Sequence, residues 1–410
     1  MKRVLLFLLM SAILFPSCAD RRDFALKDVD PRVDSLLRIM TLDEKIGQMV
    51  LFTSDWDVTG PTIREGYLDD IRSGRCGNIF NAYTVDYIRE LQRVAVEESR
   101  LGIPLMFGYD VVHGHKTIFP IALAESCSWD MELIRNSASA AAAEAAASGL
   151  NWTFAPMVDI SVDPRWGRVS EGAGEDPYLG SMIAAARVNG FQGDDLANPH
   201  TVLACVKHFA AYGAPFGGRD YNTVDMSERQ FREFYMPPYK AGVDAGALSV
   251  MTAFNEYDGV PATGNAYLLE DLLKGEWNFQ GFVVTDYTSI NEMVHHGYAK
   301  DDAEAGVKAV NAGVDMDLQG EVYFNYLRGL VESGYVPQRR IDDAVRRILN
   351  VKAKLGLFDD PYRYCDLARE QKVVSNPQII ALSRDVARKS MVLLKNDKCL
   401  PFDRGDKVAV

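Results

Sequence analysis

The stretch Gly281-Phe-Val-Val-Thr-Asp286-Tyr287 ends an apolar, β-branched run on a carboxylate and an aromatic ring. A continuous apolar run bounded by breakers is the pattern of a parallel strand buried on both faces. The C-terminal tips of such strands are where α/β sheets keep their chemistry. Asp286 there either caps a following helix or presents its carboxylate to a cleft. The same layout recurs along the chain. One run ends in Gly108-Tyr109-Asp110, followed by Val-Val-His113. Another leads through Asp159 to Asp163-Pro-Arg-Trp-Gly-Arg168 and Glu171. A third ends in Lys207-His208-Phe209, and a fourth carries Met251 and ends at Asn255. Carboxylates and cations hold vicinal hydroxyls, and aromatic faces lie on the C–H surfaces of sugars, so this inventory suits a neutral polyol. The chain has neither a Gly-rich phosphate loop nor the His/Cys spacing of a metal site. No cofactor is expected.

These residues need a scaffold that brings strand tips together. Strand-like runs fall at residues 49–52, 77–80, 104–107, 152–158, 202–206, 247–252, 282–285 and 314–316. Helical stretches at 85–99, 132–147, 178–190, 228–245, 265–276, 301–312 and 323–333 alternate with them. Strands and helices alternating eight times over about 300 residues predict an α/β fold, a (β/α)8 barrel. A doubly wound open sheet is the alternative, weakened because no G-x-G-x-x-G follows the first strand. Ahead of the barrel, residues 33–40 form an amphipathic helix, and Thr41-Leu-Asp-Glu44 is a capping box leading into the next one. Behind it, residues 341–355 are basic on one face and apolar on the other, as in a helix packed on the barrel. Residues 376–394 repeat that amphipathic pattern. Leu400-Pro401 and then 407–410 begin what looks like another strand, and a strand needs a neighbour.

Composition narrows the function classes. The 410 residues are 48% hydrophobic and 25% charged, ample for a core, and the net charge of −13 argues against nucleic acid or an anionic membrane surface. Lys2-Arg3, an apolar run over 4–15 and Pro16-Ser17-Cys18 make a secretory leader too short to span a membrane. Cys18 after Ser17 suits a lipoprotein anchor, so the expected location is periplasmic or outer-membrane-anchored. The other cysteines (76, 127, 205, 365 and 399) are odd in number and scattered, giving no disulfide framework. The expected layout is a leader at 1–18, a tether at 19–30, a barrel at 31–357, a linker and helix at 358–400, and the start of a further domain at 401–410.

Four motifs resemble glycoside hydrolase family 3, and within it the bacterial β-glucosidases. They are Gly108-Tyr-Asp-Val-Val-His-Gly114, Asp163-Pro-Arg-Trp-Gly-Arg168 with Ser170-Glu-Gly-Ala-Gly-Glu-Asp-Pro177, Lys207-His208-Phe209 and Gly281-Phe-Val-Val-Thr-Asp286. The similarity runs from about residue 31 almost to the end. It implies a retaining exo-β-glucosidase acting on β-linked gluco-oligosaccharides, with Asp286 as the nucleophile. It also implies that Asp110 takes two hydroxyls distal to the scissile bond, one of which xylose lacks. Lys207, His208 and Arg168 would hold others, Met251 would line the floor and Tyr287 would stack beside the sugar. Arg165 suits a scaffold ion pair, Trp166 a core plug, and Glu171, Glu175 and Asp176 anchors of the following loop and helix. His113 suits a buried histidine or a support equally. For Lys207 and His208 to reach one sugar, the backbone within 206–210 must be distorted by a bulge or a cis non-proline peptide, because neighbours on a strand point to opposite faces.

Two departures from the family pattern stand out. Members often carry a Tyr three residues after the Met that Met251 matches, and here it is Phe254. The acid/base Glu of two-domain members lies in a second domain. Single-domain relatives place a His in the loop after Lys-His, and the loop 209–220 has none. The expectation is therefore a two-domain type whose second domain lies outside these residues. The alternatives are a catalytically impaired sugar-binding barrel, or β-xylosidase or N-acetylglucosaminidase specificity.

Overall fold

The computed structural model describes residues 26–55 and 65–407. The leader, Cys18, most of the tether and the strand-like end at 408–410 lie outside the described residues. The strands are β1 (Val50–Thr53), β2 (Asn78–Phe80), β3 (Met106–Tyr109), β4 (Trp152–Thr153), β5 (Cys205–Phe209), β6 (Ser249–Thr252), β7 (Glu256–Tyr257), β8 (Val260–Pro261), β9 (Phe282–Val284) and β10 (Asp317–Leu318). They make a five-stranded sheet ordered β10-β1-β2-β3-β4, a three-stranded sheet β5-β6-β9 and the small β7–β8 pair. Every pairing in the two larger sheets is parallel.

Single parallel bridges join the sheets at both seams. Trp152 with Leu203 and Met157 with Lys207 link the fourth and fifth runs, and Val284 with Met316 links β9 to the approach of β10. The neighbour order thus returns to its start, with bridges at the seams where the expected barrel would have continuous ladders. At the first seam, the run expected at 152–158 keeps only Trp152–Thr153 as a strand. Pro156 has no N–H to give a ladder. Rings fill the interior: Trp152 lies 4.8 Å from Phe154 and 5.2 Å from Phe282, and Phe80 lies 5.0 Å from Phe154. Trp152 Nε1 donates to Ser249 Oγ at 2.8 Å, so its one polar atom is satisfied in the core.

Helices start where the sequence supplies caps. Thr41 and Glu44 form the reciprocal capping box, and Asp130, Asp176 and Asp301 accept from the first turns of Met131–Ala147, Pro177–Gln192 and Asp302–Ala312. The helix expected over 228–245 is broken into Glu228–Gln230, a π-type turn Phe231–Tyr235 and Pro237–Asp244. Pro237 and Pro238 cannot donate into a continuous helix. The last helix is Pro377–Lys389, shorter than the expected 376–394. The stretch taken as linker contains the helix Leu367–Val373. At the other end, the last of the expected tether is fastened to the body. Asp30 N donates to Asn350 Oδ1 at 3.1 Å, and Asp30 caps Pro31–Ile39.

Candidate active site

The C-terminal ends of β3, β5, β6 and β9 meet at a cavity of about 650 Å³. Asp110, Arg168, Lys207, Met251, Asp286 and Tyr287 all line it. His208 stands behind that wall, fully buried, with Nε2 3.6 Å from Asp286 Oδ2. The seven residues singled out from the sequence are therefore brought to one place.

β5 puts Lys207 and His208 on the same site by distortion. Its register with β6 slips between Val206 and Phe209, and the Lys207–His208 and Phe209–Ala210 peptide bonds are cis. Lys207 is only 4% exposed, and its Nζ bonds Asp110 Oδ1 at 2.8 Å. Burial works against the ammonium, but Asp110 beside it outweighs burial and raises the Lys207 pKa above its ordinary value. Arg168 grips Glu171 through two bonds of 2.7 and 2.9 Å, the bidentate geometry of a guanidinium on a carboxylate. Burial opposes both charges there. The pair bond wins, so Arg168 stays cationic and Glu171 anionic.

Asp286 sits at the tip of β9. Its Oδ1 accepts the Tyr287 N–H at 2.7 Å, while its Oδ2 is buried with no hydrogen-bond partner. Burial pushes its pKa up to about 6, and the cations Arg168 and Lys207 restrain the rise. The carboxylate is thus ionised at neutral pH with one oxygen free. His208 Nε2 is likewise buried and unpartnered. Its Nδ1 lies 2.9 Å from Asp159 Oδ2, which can only accept, so Nδ1 carries the proton and Nε2 offers a lone pair. Burial, then Arg168 and Lys207, hold the His208 pKa well below its ordinary value and keep the ring neutral. Asp286 Oδ2 and His208 Nε2 are thus two unpartnered acceptors side by side, 3.6 Å apart.

Three groups escaped the sequence reading. Asp159 is fully buried and holds the His208 end of the site, accepting from the backbone N–H of His208 at 2.9 Å and of Tyr212 at 3.2 Å. The Tyr239 hydroxyl bonds both Asp159 and the His208 carbonyl. Burial pushes the Asp159 pKa up to about 6, against the Tyr239 bond. An acid just past a strand run was the available signal for Asp159. Tyr239 lies inside a helical stretch and offered none. Glu171, expected to anchor a loop, instead lines the cavity and pairs with Arg168. Its i, i+3 spacing from Arg168 is what lets the two side chains meet. Other expectations hold. Trp166 is a core plug, 2% exposed, with Nε1 on Asp220 at 2.9 Å. Arg165 pairs with Asp163 on the surface, and Asp176 caps its helix. His113 departs from the expected buried histidine or support: it is exposed and lines the cavity itself, with Nδ1 3.2 Å from the Phe119 carbonyl. Phe254 and Tyr221 line the cavity with rings 4.5 Å apart, and Glu292 lines it too.

Residues 41–351 match the N-terminal domain of glycosyl hydrolase family 3. The chain is 47% identical over 385 residues to the periplasmic beta-glucosidase of Salmonella typhimurium, covering 93% of this chain and 50% of that protein. It is 31% identical to a putative beta-xylosidase of Formosa agariphila, covering 99% and 57%. A beta-glucosidase of Listeria innocua in complex with laminaribiose superposes with a TM-score of 0.85 at 40% identity, over 90% of this chain and 53% of that one. The chain spans about half the length of the curated relatives it matches. With a family match over three quarters of its residues, the chain belongs to glycosyl hydrolase family 3.

Proposed function

We propose that this chain supplies the nucleophile and the glucose-binding half of an exported, retaining exo-β-glucosidase. The observation that carries the reading is Asp286: a half-buried carboxylate at a strand tip that lines a polar cavity, one oxygen bonded by Tyr287 N–H and the other without a partner. In retaining hydrolysis such an oxygen attacks the anomeric carbon as the leaving group departs with a proton, giving a glycosyl-enzyme. Water then attacks the same carbon with help from the second carboxylate, now acting as base. Asp110 holds hydroxyls at the far end of the glucose, with Lys207 sharing them. Arg168 and the lone pair of His208 take those nearer the reacting carbon, Met251 forms the floor and Tyr287 packs beside the ring. The acid/base Glu belongs to a further domain. This is supported by the family resemblance and by relatives about twice as long. Export is supported by the leader pattern and by the periplasmic relative.

A β-xylosidase is the second reading, favoured by the Formosa relative. Asp110 speaks for a hexose. The test is to assay the 410-residue chain on nitrophenyl β-glucoside, nitrophenyl β-xyloside and cellobiose, with and without azide. General acid catalysis is worth roughly 10²–10⁴-fold. Cellobiose should therefore turn over at least about 10²-fold more slowly than with a two-domain relative. The aryl glucoside, whose leaving group needs no proton, should react and be rescued by azide as glucosyl azide. Preference for the xyloside would select the second reading. Cellobiose turnover at the level of a two-domain enzyme would refute the placement of the proton donor outside these residues.

A further inference from the structure

Behind the loop that begins at Asp110 lies a buried carboxylate that the chemistry above does not use. Glu144, in the helix Met131–Ala147, has no exposed surface. Its Oε2 accepts the backbone N–H of Lys116 at 3.1 Å and of Thr117 at 2.7 Å. Its Oε1 accepts the Thr117 hydroxyl at 2.7 Å and the backbone N–H of Ser375 at 2.9 Å. Four neutral donors on two oxygens keep a buried carboxylate satisfied. Those donors come from two distant parts of the chain.

Lys116 and Thr117 close the loop that starts at Asp110. Gly114 bridges Ile118, and Phe119 N donates to the His113 carbonyl at 2.9 Å. Ser375 immediately precedes Asn376, which caps the helix Pro377–Lys389. That helix reaches the same loop again. Ser383 Oγ donates to the Ile118 carbonyl at 2.6 Å, and Val386 is buried against Phe119 and Leu133. We infer that Glu144 is a positioning residue that locks the Asp110 loop to the helix Pro377–Lys389, so that the seating of this helix sets the glucose-binding carboxylate. The helix leads into the stretch 390–407, where Met391, Val392, Leu393 and Leu394 are exposed. A force on that stretch is delivered to Asp110 through two hydrogen bonds and one apolar contact. The consequence for sugar rests on the glucosidase reading. The mechanical link does not.

The test uses the 410-residue chain with two substitutions that touch no lining residue of the cavity. Ser383→Ala removes one hydrogen bond from a half-buried position. Glu144→Gln turns an acceptor into a group whose NH2 faces donors. Hydrogen exchange of the amides at 111–118 reads the link without any ligand, and titration with glucose reads its effect on the site. Losing one hydrogen bond should speed exchange there by about 3- to 10-fold in Ser383→Ala, and more in Glu144→Gln. Glucose binding should weaken at least about threefold in parallel, with the thermal midpoint of Ser383→Ala little changed. Unchanged exchange at 111–118 in Ser383→Ala would overturn the link, even if Glu144→Gln fails to fold. Faster exchange with unaltered glucose affinity would make Glu144 structural only. A wild-type chain that binds no glucose would count against the glucosidase reading, with the link still judged on exchange.

Discussion

The two ends of the strands treat buried charge in opposite ways. Near the N-terminal ends, Lys352 is fully buried, and its Nζ bonds Gln48 Oε1 at 2.6 Å, the Pro104 carbonyl at 2.8 Å and the Gly77 carbonyl at 2.9 Å. Lys274 meets Asp315 at 2.8 Å and the Gly313 carbonyl at 2.7 Å, and Arg347 meets the carbonyls of Phe279 and Gly281. Burial pushes the Lys352 pKa down to about 7, and its partners are neutral oxygens. These side chains tie the starts of neighbouring strands together and use their donors within the chain. At the C-terminal ends, Asp286 Oδ2 and His208 Nε2 are as deeply buried and have no partner. Leaving a buried polar atom unmet costs about 1–3 kcal/mol. Asn78 Oδ1, at the start of β2, is also buried without a partner, so a single unmet atom does not mark a site. What distinguishes the C-terminal ends is that two unmet acceptors, on Asp286 and His208, stand 3.6 Å apart beside a polar cavity.

The comparison breaks most sharply at Asp286. Asp286→Asn should cut turnover of an aryl glucoside by at least about 10³-fold while leaving the protein folded, because the proposed nucleophile is gone and no packing is lost. It should also stabilise the protein at neutral pH. The folded pKa of about 6 lies above the ordinary value of 3.8, so ionising this group costs the folded state more than the unfolded one. That cost is absent below about pH 4, grows as pH rises to about 6 and is constant above. The gain in Asp286→Asn, on the order of 1–3 kcal/mol, should follow that window in denaturant melts at several pH values. Loss of stability in the variant at pH 7 would mean Asp286 is a structural group.

Asp110→Ala comes next. It removes the charge-assisted hydrogen bonds proposed to the sugar, worth roughly 1.5–3 kcal/mol each, and leaves Lys207 buried without its partner. Glucoside turnover should fall by more than about 10²-fold. Wild-type kinetics in a folded variant would remove Asp110 from the site. Lys352→Met tests the other end. Three buried oxygens lose their donor, so stability should fall by about 3 kcal/mol or more, with kcat/KM of the remaining folded protein unchanged. A variant as stable as the parent, or one with altered kinetics, would blur the division between the two ends.

Phe254→Tyr is the gentlest probe. It places a hydroxyl on the cavity wall near the carboxylate, and a donor to the charged form lowers a pKa. The acidic limb of the rate profile, expected near pH 6 from Asp286, should move down by less than about one unit. A limb that stays in place would show that the new hydroxyl does not reach Asp286.

Much of the working end was legible in the sequence because its residues end apolar runs, where periodicity and chemistry coincide. Asp110, Lys207 and Asp286 announce themselves as polar residues at the ends of hydrophobic strands. The distortion of β5 was also legible, since two adjacent side chains could share one site in no regular strand. Asp159, Tyr239 and Glu144 were less so, as they act on other residues of the chain across long sequence separations. The eighth strand was placed at 314–316 on its apolar residues but lies at Asp317–Leu318. Asp315 turns inward there to accept the Val283 N–H at 2.7 Å, and Asp317 caps Val322 and Tyr323, uses that a hydropathy pattern does not display. Lys352 looked like part of a basic helix face. Only the three oxygens closing over it reveal a core residue.

If Asp286 is the nucleophile, its carboxylate forms an ester with the anomeric carbon of the sugar. The direct measurement is to incubate the chain with dinitrophenyl 2-deoxy-2-fluoro-β-glucoside, whose leaving group needs no proton, and to map the adduct by peptide mass spectrometry. A fluoroglucosyl ester on Asp286 is expected, and no adduct in Asp286→Asn. An adduct on Glu171, Glu292 or Asp110, with Asp286 unmodified, would contradict it.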